Sequence, residues 1–297
     1  MDERLRRHEY GFLELASPPD DQALTDYYAQ KYYQSEQGNY RKSYPEAELA
    51  AIQLRTDLRA HHADQLRGTD QPGRLLDVGC GEGFVLAAYA ARGWTVHGID
   101  HSVEGVSMMN PDQLSNVDQG DLFALLDDVI AADTTYDLVW LGNVLEHVRN
   151  PVTLLRTLRR LVAPGGLLVA TVPNDGSPYQ EALLESGAID RRFWIAVPDH
   201  LSYFTPASLT ETATRTGWQV RDIQGDFPID LFLSHPGSNY VRDRTNGPDA
   251  HAARLSLETL IGAAGLEAAN TFYSALAGVG WATDTTAHLT PSQEHSL

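Results

Sequence analysis

"LLDVGCGEG", residues 75–83, sets an apolar run, an acid and three glycines side by side. Leu75–Val78 has the composition of a buried strand. Gly79, Gly81 and Gly83 give the turn behind it conformations that a Cβ disfavours. Such freedom at the end of a strand implies that the polar part of a ligand comes against the main chain there.

Working outward, strands and helices alternate. The strands are "RLLDVG", "TVHGID", "NVDQGD", "YDLVWLG", "LLVATVP", "WQVRDIQGDF" and "WATDTTAHLT". Between them lie helical stretches such as "GFVLAAYAARG", "LFALLDDVIAA" and "PVTLLRTLRRLVAPGG", the last leaving through Pro-Gly-Gly. This alternation predicts an α/β fold, a Rossmann-like, doubly wound, mostly parallel seven-stranded sheet with helices on both faces. Residues 1–70 read as an N-terminal helical or lid segment: tyrosine-rich to residue 45, then an amphipathic helix over 45–66. Residues 71–290 form the main domain, and 291–297 a tail. Two insertions interrupt it, 174–204 after the fifth strand and 228–279 between the sixth and seventh, the second holding one helix over about 251–277. His61 and His62 fall on a helix surface, and Arg156, Arg159 and Arg160 on a solvated helix face.

The chain has 297 residues, 42% apolar and 21% charged, with a formal net charge of −18. That charge argues against a nucleic-acid partner. No stretch approaches the roughly 20 apolar residues of a membrane span, and no apolar run follows "MDERLRRHEY" as in a secretory signal. The expected location is the cytoplasm. Cys80, the one cysteine, excludes an internal disulfide framework and reads as a small packing residue beside the turn, not a nucleophile.

Two cofactor classes use a glycine turn at this place in such a sheet. A dinucleotide wants G-x-G-x-x-G with its pyrophosphate on the helix N-terminus. Here the spacing is G-x-G-x-G, and Glu82 would lie near that dianion. Asp100 ends the second strand 21 residues after Gly79. A carboxylate at that tip can accept both hydroxyls of a ribose in either class, and Asp is equally at home as a strand-end or helix-capping residue.

The series "LLDVGCGEG", "GIDHS", "QGDLFAL", "YDLVWLGNVLEHVRNP" and "LRRLVAPGGLLVATVPN" resembles the class I S-adenosylmethionine (SAM) methyltransferases from about Arg74 to Phe227. "VLEHV" and "DHLSYFTPASL" are similar to the small-molecule branch, which holds ubiquinone-biosynthesis O-methyltransferases and sugar and natural-product tailoring enzymes. The resemblance implies SAM as cofactor and S-adenosyl-L-homocysteine as product. It implies that Gly79, Cys80, Gly81 and Gly83 run beside the amino-acid part of SAM, with Asp77 near its ammonium. Asp100 would hold the ribose diol, His101 flank the adenine, Asp121 accept the adenine amino group and Leu122 wall it. Gly142 and Asn143 would bound the methionine end. A sulfonium nucleoside carries no phosphate, so Glu82 meets no like charge.

Methyl transfer is an in-line displacement that needs alignment and, for a hydroxyl or ammonium, loss of a proton. His147, Glu146 and His200 are the candidate catalytic residues at the ligand-binding edge of the sheet, with Asp199 orienting one histidine. Glu146, His147 and His200 also make a two-His, one-carboxylate set. The metal-binding relatives carry E-x-x-E-H, whereas this chain has Asn143 at the first glutamate, and adjacent Glu and His diverge on a regular helix; no metal is expected. Tyr32, Tyr33 and Tyr40 are placed in a lid. Phe193, Trp194, Tyr203 and Phe204 are placed around the acceptor. The expected function is methyl transfer to an O or N atom, less readily C, of a small molecule in natural-product or sugar-type metabolism. The alternatives are a protein or RNA methyltransferase, a dinucleotide oxidoreductase and a SAM-binding protein without catalysis.

Overall fold

The computed structural model describes residues 2–20, 24, 27 and 43–292. Ten strands are seen among them. β1 (Leu5–Arg7), β2 (Leu13–Leu15) and β8 (Ser202–Tyr203) form a small antiparallel sheet. The other seven are β3 (Arg74–Val78), β4 (Thr95–Asp100), β5 (Val117–Gln119), β6 (Tyr136–Gly142), β7 (Val162–Pro173), β9 (Trp218–Gly225) and β10 (Asp284–Pro291). They lie in the order β5-β4-β3-β6-β7-β10-β9. Of the seven, β10 alone runs against the other six, as expected of seven mostly parallel strands.

Alternation along β3 shows how the sheet is buried on both faces. Leu76 and Val78 join one apolar cluster with Ile99, Leu126 and Leu154. Leu75 points the other way, into a cluster with Ala63, Leu86 and Tyr89. Asp77 shares the Leu75 face and is only 3% exposed. The carboxyl ends of β3, β4, β6 and β7 therefore meet at one edge, with the starting end of antiparallel β10 beside them, Asp284 opposite Pro173.

Four local expectations are corrected. The N-terminal segment is not purely helical: Leu5 to Leu15 is a hairpin, held because Phe12 packs on Phe204 with ring centroids 4.9 Å apart. The helix expected through Pro164-Gly165-Gly166 stops at Arg159. The chain enters β7 at Val162, and the Pro-Gly-Gly is a bulge where the register with β6 slips. The helix expected over 251–277 is two, Gly247–Gly262 and Leu266–Val279, parted at Gly265, whose φ of 96° no helix accommodates. His62 is not a surface residue: its Nε2 lies 2.8 Å from Asp222, and its ring abuts fully buried His288. The arginines of the Pro151–Arg159 helix also make contacts, Arg156 donating to Tyr10 Oη at 2.6 Å and Arg159 to the Ser292 carbonyl at 3.0 Å. Among the described residues, no helix is long and apolar enough to cross a membrane.

Candidate active site

The glycine turn is tight because all three of its glycines take positive φ, at 74°, 55° and 74°. A Cβ at Gly79 would stand 2.4 Å from Val144, whereas one at Gly81 would meet nothing within 4 Å. Gly79 is thus fixed by packing, and Gly81 faces open space. Asp100 anchors the turn: its Oδ2 accepts the Gly81 N–H at 2.8 Å and its Oδ1 the Ser102 N–H at 3.0 Å. Each oxygen keeps a lone pair for a diol. Cys80 is buried, and its Sγ lies 2.9 Å from where a Cβ on Gly98 would be, so it packs against β4. Burial, then the nearby Asp77 and Asp100, push its thiol far up, which leaves it inert.

Asp77 accepts no hydrogen bond among the described residues. Burial first, and Asp100 second, push it up to about 8. A buried carboxyl group without a partner at the mouth of the turn suits a cationic ammonium. Asp121 serves partly as a helix cap, its Oδ1 accepting the N–H groups of Phe123 and Ala124 at 3.1 and 3.0 Å. Its second oxygen is left for an amino group. His101 is exposed, and Leu122 packs against the core. Asn143, with φ 54°, turns the chain out of β6 and is held by its N–H on the Thr171 carbonyl at 2.9 Å; half-buried Gly142 precedes it.

Beyond Asn143 the chain makes a turn rather than a helix, with the His147 N–H on the Val144 carbonyl at 3.0 Å. This irregularity removes the divergence expected of adjacent Glu146 and His147. One ligand atom from each of Glu146, His147 and His200 lies within 4.8 Å of the others. The two imidazole rings meet edge to face at 5.1 Å. His147 Nδ1 is 2.7 Å from the Asp199 carbonyl oxygen, which fixes its proton there and leaves Nε2 with the lone pair. Asp199 thus orients His147 through its main chain, with its carboxylate 3.6 Å away. The partner of His200 is Asp175, Nδ1 to Oδ2 at 3.5 Å, an ionic contact too long for a hydrogen bond. Asp175 was missed in the sequence, although an acid two residues past the fifth strand's end at this edge was a usable signal.

Burial acts to lower the His200 pKa, but Asp175, Glu146 and Asp199 outweigh it, and the net direction is up. Glu146 is 1% exposed with no hydrogen bond to either oxygen, and burial pushes it up to about 8. The folded state then keeps a proton that the unfolded state releases above pH 4.5. Stability must fall as pH rises between 4.5 and about 8, by roughly 3–5 kcal/mol for a shift of this size. Replacing Glu146 by Gln is expected to flatten that decline in urea melts taken across the pH range.

Of the residues placed around the acceptor, Tyr203 donates to the His200 carbonyl at 2.9 Å and Trp194 is buried against Phe193. Both line a cavity of about 510 Å³ that reaches Asp175. Phe204 belongs to the core instead. Tyr32, Tyr33 and Tyr40 lie outside the described residues.

A family model described as a methyltransferase domain matches residues 51–223. A ubiquinone biosynthesis O-methyltransferase of Aeromonas salmonicida is 30% identical over 155 residues, 51% of this chain and 65% of that one. Its counterpart in Nitrosomonas europaea is 27% identical over 61% of this chain and 78% of its own. Among solved structures, the 1,6-didemethyltoxoflavin-N1-methyltransferase of Burkholderia thailandensis, with bound S-adenosylhomocysteine, is 13% identical with a TM-score of 0.53, covering 99% of this chain and 98% of that one. The family model spans more than half of the sequence, including the glycine turn, Asp100, Asp121 and both residues of the Glu146–His147 pair; the chain belongs to the methyltransferase-domain family, with S-adenosylmethionine as its methyl donor.

Proposed function

We propose that this chain methylates a hydroxyl oxygen of a small-molecule acceptor, with His200 as the base. The observation that carries it is the pair of imidazoles at the donor edge, the Nδ1 of one hydrogen-bonded to a carbonyl and the Nδ1 of the other in ionic contact with a buried carboxylate at 3.5 Å. Bound SAM supplies an electrophilic methyl on a sulfonium. Asp100 and Gly79–Gly83 orient the nucleoside, and Asp77 faces its ammonium. His200 takes the hydroxyl proton on Nε2, and Asp175 steadies the imidazolium that results. Glu146, raised to about 8 by burial, stands protonated near neutral pH with its Oε1 3.7 Å from His147 Nε2. The "O-methyltransferase" of the relatives' names supports oxygen as the atom methylated. Cytoplasmic location and the absence of a nucleic-acid or membrane partner belong to the same reading, supported by the net charge of −18.

The test uses purified protein, methyl-labelled SAM and an extract of the source cells, with products separated by size. Label in a base-stable small-molecule ether is expected. Label in protein or RNA would sink the reading.

A second reading follows from the 4.8 Å grouping of Glu146, His147 and His200. Two imidazole nitrogens and a carboxylate suit a divalent transition metal, which would fix the acceptor's oxygen as a Lewis acid. Chelator dialysis separates the two. Full activity afterwards is expected on the metal-free reading, and loss restored by added zinc or manganese would establish the second.

A further inference from the structure

A second cavity, of about 660 Å³, opens at the far edge of the sheet. It lies where the helix Pro151–Arg159 ends, β7 and β9 begin and β10 finishes. Thr290 in its wall is six residues along β10 from Asp284, so about 20 Å of strand separates it from the methyl-donor edge. Its volume is that of a small-molecule site. Arg156, Arg159, Arg160 and Arg221 line it, and among the described residues no acid does. The chain carries 40 acids against 22 basic residues, so four guanidinium groups around one hollow reverse the sign of the surrounding field.

Two of the four have structural roles. Arg156 donates to Tyr10 Oη at 2.6 Å and Arg159 to the Ser292 carbonyl at 3.0 Å. Both also stand in the last turn of their helix, where its carbonyl ends favour positive charge. Arg160 and Arg221 have no such account. Both are exposed, and neither makes a hydrogen bond or ion pair among the described residues. Arg221 is the extra residue of a bulge: Asp222 pairs with His288 and Val220 with Leu289, so Arg221 has no partner on β10. A bulge re-aims the side chain that it carries. Among the described residues the seven-stranded sheet slips register at one other place, and that slip, through Pro164-Gly165-Gly166, borders the same cavity. Gly165 takes a φ of 81°, and a Cβ there would meet nothing within 4 Å.

An arginine fork matches the oxygens of a phosphate or a carboxylate. A single carboxylate lies in one plane and cannot meet forks arriving from both a helix and a strand. A diphosphate presents oxygens on every side and carries several charges. A long polyanion would have to cross the rest of a chain with net charge −18. We propose that Arg156, Arg159, Arg160 and Arg221 bind a diphosphate group, free or carried on a nucleoside, at a site separate from that of the methyl donor. The site stands independently of which acceptor is methylated.

The test is calorimetric titration of the full chain loaded with S-adenosylhomocysteine, with pyrophosphate, ADP, citrate and a short single-stranded oligonucleotide as probes. Saturable binding of pyrophosphate is expected, with citrate about tenfold weaker or more. ADP bound more tightly than pyrophosphate makes a nucleotide the source of the group, and ADP bound no more tightly makes it the free anion. Arg160→Gln and Arg221→Gln should each weaken pyrophosphate about tenfold or more. Arg244→Gln, which removes an exposed charge elsewhere, should leave it unmoved, as should all three the affinity for S-adenosylhomocysteine. No saturable pyrophosphate binding, citrate bound as tightly, an equal loss in Arg244→Gln, or release of S-adenosylhomocysteine by pyrophosphate would overturn the proposal. Preference for the oligonucleotide would overturn it in favour of a nucleic-acid surface.

Discussion

Replacing Asp100 by alanine is expected to weaken S-adenosylhomocysteine binding by about two to four powers of ten in titration calorimetry. The size follows from two losses. A hydrogen bond to a charged group contributes about 1.5–3 kcal/mol, and the carboxylate offers one lone pair to each ribose hydroxyl. Two such bonds give about 3–6 kcal/mol, at about 1.4 kcal/mol per tenfold in affinity. The same substitution frees the Gly81 and Ser102 N–H groups that Asp100 holds at 2.8 and 3.0 Å, so the turn also loses its anchor. Asp100→Asn separates the two effects. Its amide oxygen can keep one main-chain N–H, and its NH2 group cannot accept a hydroxyl. A loss of about one to two powers of ten is expected there. Unchanged affinity in Asp100→Ala, with the melting temperature preserved, would show that the residue only closes a turn.

The donor half of the site was legible because local chemistry dictates it. A glycine turn, an acid at the next strand tip and a helix-capping acid after the third strand are separated by short segments, and each follows directly on its strand. The acceptor half was legible only in part. His147 and His200 follow strands, so their edge could be read, but their distance apart depends on the turn at 145–147 and on residues 196–201 folding back. The Leu201 N–H on the Glu146 carbonyl at 2.8 Å is a contact across 55 positions that no local pattern carries. Asp284 was read only as part of a final strand. Its place opposite Pro173 and beside Asp226 comes from the antiparallel insertion of β10 between β7 and β9. Arg59 sits mid-helix in a chain rich in arginine, and only tertiary packing distinguishes it from a solvated residue.

His200→Ala should lower kcat toward the identified hydroxyl acceptor by about a hundred- to ten-thousandfold, the range of a lost general base. The pH profile tests the role more closely than the loss does. A base must be neutral to act, so activity should climb with pH through a midpoint above the usual 6.5 of histidine, the direction that Asp175 and its acidic neighbours impose against burial. Asp175→Asn removes the carboxylate 3.5 Å away. The midpoint should then move to lower pH while the plateau rate falls, because the imidazolium loses its counter-charge. The sign in stability is fixed by the same shift. A histidine whose pKa is raised by folding adds stability below about 6.5 and loses it as pH rises through the raised value, and burial raises Asp175 itself, so its ionisation costs the parent stability as pH rises; the variant should lose the histidine's contribution in acid and melt at or above the parent in alkali. A metal on His200 Nε2 would act differently. It requires the neutral ring, so the acid limb would follow metal loss and would shift with added zinc. A limb that ignores metal concentration yet moves with Asp175→Asn can come only from proton transfer at His200.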